Sequence, residues 1–383
     1  MMKIQTMRRG VAAVVVLLAA FAGAADLAFL KELVEIPSSS EDYPQVNRAM
    51  GAMRTYLEKR GVWCVIETDG NGRDILFAAT QPGKVQDFIL SAHLDVVPAS
   101  HEGQYSLKND KGRLTGRGVG DDKGASLAAA QTLIALVGKG VSVGCIFGAD
   151  EEVGGFTTTW MVEKLGYRPR KMVLVIDSSF GQIAYATKGQ LMVKATLKGA
   201  GGHSSTPWKC EDLVTRLSRA VVKIQDEWYM RHPIPADKWS DVLTPTIIKS
   251  EGTALNRIPS EVWVNFNLRS IRPEAKDEAV ALIREMTGGE VEVVRYSPPC
   301  CTDPSNPLVA RLRQVMAAEL GREIPLDRML AATDARCFVS CGVPVVNIGH
   351  DHGDPHAATE WAEASTIDSV SRYLTAFVLG ESK

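Results

Sequence analysis

The sequence lacks the features that mark the simplest classes of protein. Its 383 residues contain no fixed repeat, low-complexity block or acidic tail, which argues against a solenoid and against a disordered interaction segment. Aromatic residues make up only 7%, and the 43 basic residues are outnumbered by 45 acidic ones without gathering into a basic face. A nucleic-acid partner is therefore disfavoured, because phosphate binding needs a positive surface. Seven cysteines, at 64, 145, 210, 300, 301, 337 and 341, lack the paired spacing of a cysteine metal site, and their odd number leaves at least one thiol unpaired. The apolar run at 11–21 is about half of the roughly 20 residues that a membrane span requires.

That run has another meaning. Lys3, Arg8 and Arg9 precede it and Ala22-Gly23-Ala24 follow it, the three-part layout of a secretory signal peptide with cleavage expected after Ala24. The surroundings of Arg8-Arg9 add no fuller twin-arginine signal, so the general secretory route is expected, with a periplasmic or extracellular destination. No cysteine stands at the cleavage point to carry a lipid anchor, so no stable membrane anchor is expected after processing. Removing three basic residues and no acidic one takes the formal charge from −2 to −5, which leaves a small molecule as the expected partner.

What is present is ordinary globular composition, 45% hydrophobic and 23% charged, at a length that predicts two domains. Helical spacing at 27–34 and 50–59 is followed by β-rich runs at 63–67, 75–78 and 88–92, a helix over 123–136 and a strand at 143–147. Strands and helices alternating in this way predict an α/β fold with a mostly parallel sheet covered by helices. Near Ala184 the texture changes. Strands at 191–197, 262–268 and 291–294, with helices at 212–224 and 274–285, read as an α+β insert. After Pro298-Pro299 the α/β pattern resumes with a helix at 308–320, a strand at 343–348 and a helix at 367–379. The expected division is a leader at 1–24, a discontinuous domain at 25–184 and 298–383, and an insert at 185–297.

Acids and histidine collect at the ends of the predicted strands. The strand at 88–92 runs into His93-Leu94-Asp95, where alternation of side chains puts His93 and Asp95 on one face, so Asp95 can orient the imidazole. A glycine-rich turn, Gly116-Arg117-Gly118-Val119-Gly120, carries Asp121-Asp122 into the helix at 123–136, and helix capping explains only one of the two acids. Asp150-Glu151-Glu152 follow the strand at 143–147, where adjacent carboxylates repel unless water or a cation screens them. Asp177 ends a further strand at 172–176. Carboxyl ends of parallel strands are where such folds place ligands. The segment after 343–348 holds His350, His352, His356 and Glu360, and the residues alone do not choose among the three histidines.

These motifs, in this order and over nearly all of the processed chain, resemble the M20 metallopeptidase family of aminoacylases, acetylornithine deacetylases, succinyl-diaminopimelate desuccinylases, carboxypeptidase G and dipeptidases. The resemblance implies a dinuclear-zinc exopeptidase-like catalytic domain with an inserted lid or dimerisation domain. It makes Asp121 the carboxylate shared by two divalent metals, zinc by expectation with cobalt or manganese as alternatives. His93 and Asp177 complete one site, and Glu152 and His356 the other. His356 is chosen because the family places an acid four residues after the ligand histidine, as Glu360 stands here. A cis peptide at Asp121-Asp122 is also implied.

Glu151 matches the general base, and Gly201-Gly202-His203-Ser204-Ser205 matches the segment whose histidine reaches an active site, often the partner subunit's, where His203 would stabilise the oxyanion. Asn256 and Arg269 fit positions lining the substrate pocket, although Asn267 stands where the family has an acid. Thr333-Asp334-Ala335-Arg336 resembles the segment that holds a substrate carboxylate, a task suited to the Arg336 guanidinium. The activity implied is metal-dependent cleavage of an amide or peptide bond in a small substrate with a free carboxylate, by a dipeptidase or carboxypeptidase. An N-acyl-amino-acid deacylase is the alternative within that chemistry. A silent small-molecule-binding protein on the same fold is the alternative of another class, and the intact ligand set argues against it.

Overall fold

The computed structural model describes residues 26–252 and 254–381, so the expected leader at 1–24 lies outside the described residues. The chain divides into two compact units, one of residues 1–185, 302–327 and 333–383 and one of residues 186–301 and 328–332. Residues 298–301 and 328–332 thus belong to the smaller unit, whereas the proline pair had placed the return at 298. No helix among the described residues is long and apolar enough to cross a membrane.

The larger unit is built on a sheet whose centre is parallel. Strands Val143–Gly148, Val85–His93, Arg168–Val175 and Val345–Asn347 lie side by side in that order. Trp63–Thr68 and Asp74–Ala79 extend one edge antiparallel, and Ile183–Thr187 joins the other edge antiparallel. Every residue of Val143–Gly148 is buried, as expected for a strand covered on both faces. Helices Lys123–Leu136 and Ala364–Glu381 pack on the sheet, and Ala125, Ala128, Ala129 and Ala130 are fully buried, their small size admitting close backbone approach. Phe88 meets Phe377 edge to face at 5.5 Å between ring centroids. Buried Lys123 donates to the carbonyls of Leu33 and Ile36 at 2.8 Å each, tying the start of its helix to the end of helix Leu27–Val34.

The predicted elements are recovered, with informative differences at their ends. The expected helix at 50–59 is the second half of Tyr43–Glu58, which starts earlier because Asp42 caps Gln45 N–H and Pro44 sits in its first turn. The expected strand at 343–348 pairs only over Val345–Asn347, since Pro344 has no N–H to offer the sheet.

In the smaller unit, strands Val242–Ser250, Glu261–Ser270, Gly189–Lys198 and Glu290–Ser297 form a wholly antiparallel sheet in that order. Strict alternation of buried and partly exposed residues along Glu261–Ser270 turns Val262, Val264, Phe266 and Leu268 toward helices Leu213–Arg231 and Ala275–Thr287. Burying each such side chain stabilises the unit by about 1.5–3 kcal/mol. None of the seven cysteines forms a disulfide, and only Cys145, Cys300 and Cys337 are buried.

Candidate metal centre

The chemistry-bearing residues of the larger unit gather at the carboxyl ends of its parallel strands. His93 ends Val85–His93 and is held from both sides of its backbone: its N–H donates to Asp122 Oδ2 at 3.1 Å, and its carbonyl accepts from Ser126 Oγ at 2.8 Å. Its Nδ1 lies 3.0 Å from the Asp95 carbonyl and 3.3 Å from Asp95 Oδ1, leaving Nε2 turned to Asp121 Oδ1 at 3.0 Å. The other oxygen of Asp121 lies 3.1 Å from His356 Nε2, which is also 3.1 Å from Glu152 Oε2. One carboxylate therefore stands between two imidazoles. The peptide joining Asp121 to Asp122 is cis, as the family likeness implied.

Asp95 does more than face His93. Its carboxylate accepts the N–H groups of Glu151 and Glu152 at 3.1 and 3.3 Å and the hydroxyl of Ser40 at 2.7 Å. It thus sets the backbone of the two adjacent glutamates. Asp150, the third acid of the run, is buried and spent on Arg73 and on Thr157, both its N–H and its hydroxyl.

The electrostatics describe a site crowded with negative charge. Loss of hydration, followed by the nearby Asp121 carboxylate, pushes Asp177 up to about 7, and burial raises Glu151 well above the usual carboxylate range although the Arg336 charge opposes it. Asp121 is held well below that range: burial favours its neutral form, but hydrogen bonds from His356 and His93 outweigh it. The same bond to Asp121, with that to Glu152, pushes His356 up to about 10.

Ligand atoms of Asp121, Glu152 and His356 all lie within 4.8 Å of one another. Glu152 Oε1 is buried without a hydrogen-bond partner and His93 Nε2 faces only the Asp121 carboxylate, and unspent buried groups of this kind are what a cation satisfies. The imidazole and carboxylate donors suit a divalent cation such as zinc, cobalt or manganese.

Arg336, which the family likeness assigns to a substrate carboxylate, makes its contacts within the chain. Its guanidinium is 9% exposed and turned onto Glu151: Nη2 is 2.8 Å from Glu151 Oε1 and donates to the Glu151 carbonyl at 3.1 Å, while Nε donates to the Gly154 carbonyl at 3.3 Å. Asp334 Oδ1 is 3.5 Å from the same Nη2. Thr333 is buried, donating to Asn347 Oδ1 at 2.6 Å and capping the turn Asp334–Cys341 through Ala335 N–H. Both are therefore engaged with the protein.

His203, Asn256 and Arg269 belong to the smaller unit. Exposed His203 pairs in a two-residue ladder with Arg257, and its Nδ1 meets the Ser205 N–H at 3.2 Å and the Ser205 hydroxyl at 2.8 Å. The Asn256 carbonyl accepts Ser204 N–H at 3.0 Å, so the His203 and Asn256 segments lie together. Arg269, partly exposed, stands opposite Val242 and Gln190 in the antiparallel sheet.

Sequence reasoning left Arg117 and Ser40 without roles and used Glu360 only as a marker for His356. Arg117 and Glu360 are a buried ion pair at 2.5 Å. The flanking Gly116 and Gly118 were the available signal, since they take φ of +155° and +86° in a turn wrapped around an acceptor.

A helix-covered, centrally parallel sheet whose strand ends gather two imidazoles around a shared carboxylate defines a metal-dependent hydrolase of the amide-cleaving kind. Residues 89–380 match Peptidase family M20/M25/M40, and the chain belongs to that family. It is 25% identical over 293 residues to a [LysW]-lysine/[LysW]-ornithine hydrolase of Sulfurisphaera tokodaii, covering 76% of this chain and 80% of the relative. Likeness to a succinyl-diaminopimelate desuccinylase of Helicobacter hepaticus is 24% over 371 residues, 89% of this chain and 93% of the relative. Among solved structures, an M20 family metallo-carboxypeptidase from Sulfolobus solfataricus superposes with a TM-score of 0.77 at 16% identity, covering 92% of this chain and 98% of that one.

Proposed function

We propose that the protein is an exported dipeptidase or carboxypeptidase that cleaves an amide bond in a small peptide with a free carboxylate. The observation that carries this reading is the Asp121 carboxylate, 3.0 Å from His93 on one oxygen and 3.1 Å from His356 on the other, with partly buried Glu151 beside the second ligand Glu152. His93, Asp121 and Asp177 would hold one divalent cation, and Asp121, Glu152 and His356 a second, of zinc type. When bound, such a pair polarises the carbonyl and lowers the pKa of water from about 15.7 toward 7.

The chain's own residues do the rest. Glu151 takes a proton from the attacking water and returns it to the departing nitrogen, so the amide and one water become a carboxylic acid and an amine. Asp95 fixes the Glu151 backbone, and Arg336 fixes the carboxylate by facing one oxygen at 2.8 Å and leaving the other for the proton. Arg336 is thereby assigned to Glu151 before the substrate. Roles in binding substrate for His203, Asn256, Arg269 and Thr333, and a homodimer formed through the smaller unit, rest on the family likeness.

A second reading, an N-acyl-amino-acid deacylase, is favoured by the activity named for the Helicobacter hepaticus relative. The discriminating assay compares dipeptides with N-acetyl and N-succinyl amino acids, each with EDTA and with metal restored. Dipeptide hydrolysis lost to EDTA and regained with metal is expected. Turnover of N-succinyl substrates alone would replace the first reading with the second, and turnover indifferent to chelation would remove both.

A further inference from the structure

Glu360 takes no part in the proposed hydrolysis, yet it is among the most heavily bonded side chains near the centre. It is 1% exposed, and its carboxylate accepts four kinds of donor: Gly118 N–H at 2.9 and 3.0 Å, Gly120 N–H at 3.0 Å, Asp121 N–H at 3.1 Å and Arg117 Nη1 at 2.5 Å. Arg117 is also 1% exposed and gives its second terminal nitrogen to the His356 carbonyl at 3.0 Å. Two ligand residues 235 positions apart are thus gripped through their own backbones by one ion pair. A turn of N–H groups converging on a carboxylate is a strong anion cradle, and the bidentate reach of arginine fixes direction as well as distance.

His356 needs such a grip. Its side chain is 54% exposed, so packing does little to fix it, and its φ of +66° is unfavourable for a residue with a Cβ. His93 is anchored differently, by Asp122 and Ser126 on its backbone and by Asp95 on its ring. Burying an ion pair is not in itself a reliable source of stability, because desolvation offsets the attraction.

Resting on the metal-centre reading above, we propose that Arg117 and Glu360 are a positioning pair that sets the spacing of Asp121 and His356. They tune affinity most at the site completed by Glu152 and His356, where they hold both Asp121 and His356, and less at the site completed by His93 and Asp177, which they reach only through Asp121. Neither residue touches metal or substrate.

The test is zinc binding to metal-free protein by calorimetry, with metal content by mass spectrometry, on the whole chain and on Glu360→Gln, Arg117→Lys, His356→Ala and Glu360→Gln/His356→Ala. Wild type should bind two ions. Glu360→Gln should weaken the ion completed by Glu152 and His356 by roughly 10- to 100-fold, the usual range for losing a partner that orients a ligand, and the other ion, which depends on the pair only through Asp121, by clearly less. In the double variant the two losses should not add, because both fall on one site.

Arg117→Lys keeps the buried charge but cannot span Glu360 and the His356 carbonyl together. It should show the same selective loss, and it serves as the test if Glu360→Gln does not fold. Equal weakening of both ions, no weakening, additive losses, or failure of both variants to fold would each overturn the positioning role. Wild-type protein that binds fewer than two ions would instead remove the metal-centre reading beneath it.

Discussion

Replacing Arg336 by methionine separates two roles for its guanidinium, orienting Glu151 and holding a substrate carboxylate. In the structure its Nη2 lies 2.8 Å from Glu151 Oε1 and 3.1 Å from the Glu151 carbonyl, and its Nε lies 3.3 Å from the Gly154 carbonyl, all at 9% exposure. Methionine keeps the stem and removes the charge, leaving Glu151 and Asp334 buried without their common cation. Breaking a buried pair on one side costs about 3–5 kcal/mol, so a clear fall in folding stability is expected by denaturant titration. If about 1.4–2.8 kcal/mol of that is lost again in orienting Glu151 at the transition state, kcat falls roughly 10- to 100-fold. KM should move by less than about threefold, because nothing that binds the ground state has been removed.

Steady-state kinetics on a dipeptide and on its C-terminal amide provide the assay. A clamp for the substrate carboxylate would raise KM for the acid and spare the amide. That result, with kcat unchanged, would refute the assignment of Arg336 to Glu151. Arg336→Lys, which restores charge without the second contact, should recover part of kcat.

Other perturbations have equally definite outcomes. Glu151→Gln should keep its metal content and lose about 10²- to 10⁴-fold in kcat, and unchanged hydrolysis would reject it as the base. Without metal His356 is raised to about 10, Asp177 is raised by burial, and His93, which burial would lower, is raised well above the imidazole range by its bonds to Asp121 and Asp95, so protons held by these groups must leave before they become ligands. Zinc binding should then release protons, read from the dependence of binding enthalpy on buffer ionisation; no dependence would contradict it. Gly155→Ala would drive a Cβ into Asp334 Oδ1 at a residue with φ of +65°, and should lower Tm while reproducing the Arg336→Met loss of kcat.

How much of this could be read in the sequence depended on range. Elements with strong periodicity, such as Leu27–Val34 and Leu213–Arg231, follow from the spacing of their own apolar residues. Strand Val242–Ser250 was not foreseen because Pro245 interrupts it and most of its residues are exposed; it is an edge strand, with a bulge between Pro245 and Ile247. Helix Phe156–Glu163 was hidden by its three threonines and by the glycine pair before it. The ligand candidates stood out as acids and histidine at strand ends, and family likeness chose among the three histidines. What stayed illegible was partnership. Nothing near Arg336 in the chain indicates that Glu151, 185 positions away, will take its charge, and nothing beside Gly118 shows that its N–H will meet Glu360 across 242 positions.

The order of synthesis gives that last separation a consequence. His93, Asp121, Glu152 and Asp177 are all made before the smaller unit, and His356 and Glu360 only after it, so a growing chain carries a cluster of acids long before it carries the histidine and carboxylate that secure them. The centre is therefore a late product of biosynthesis. A polypeptide threaded across a membrane unfolded would make the journey inert toward peptides on its way, and would take up its ions from whatever the far compartment supplies.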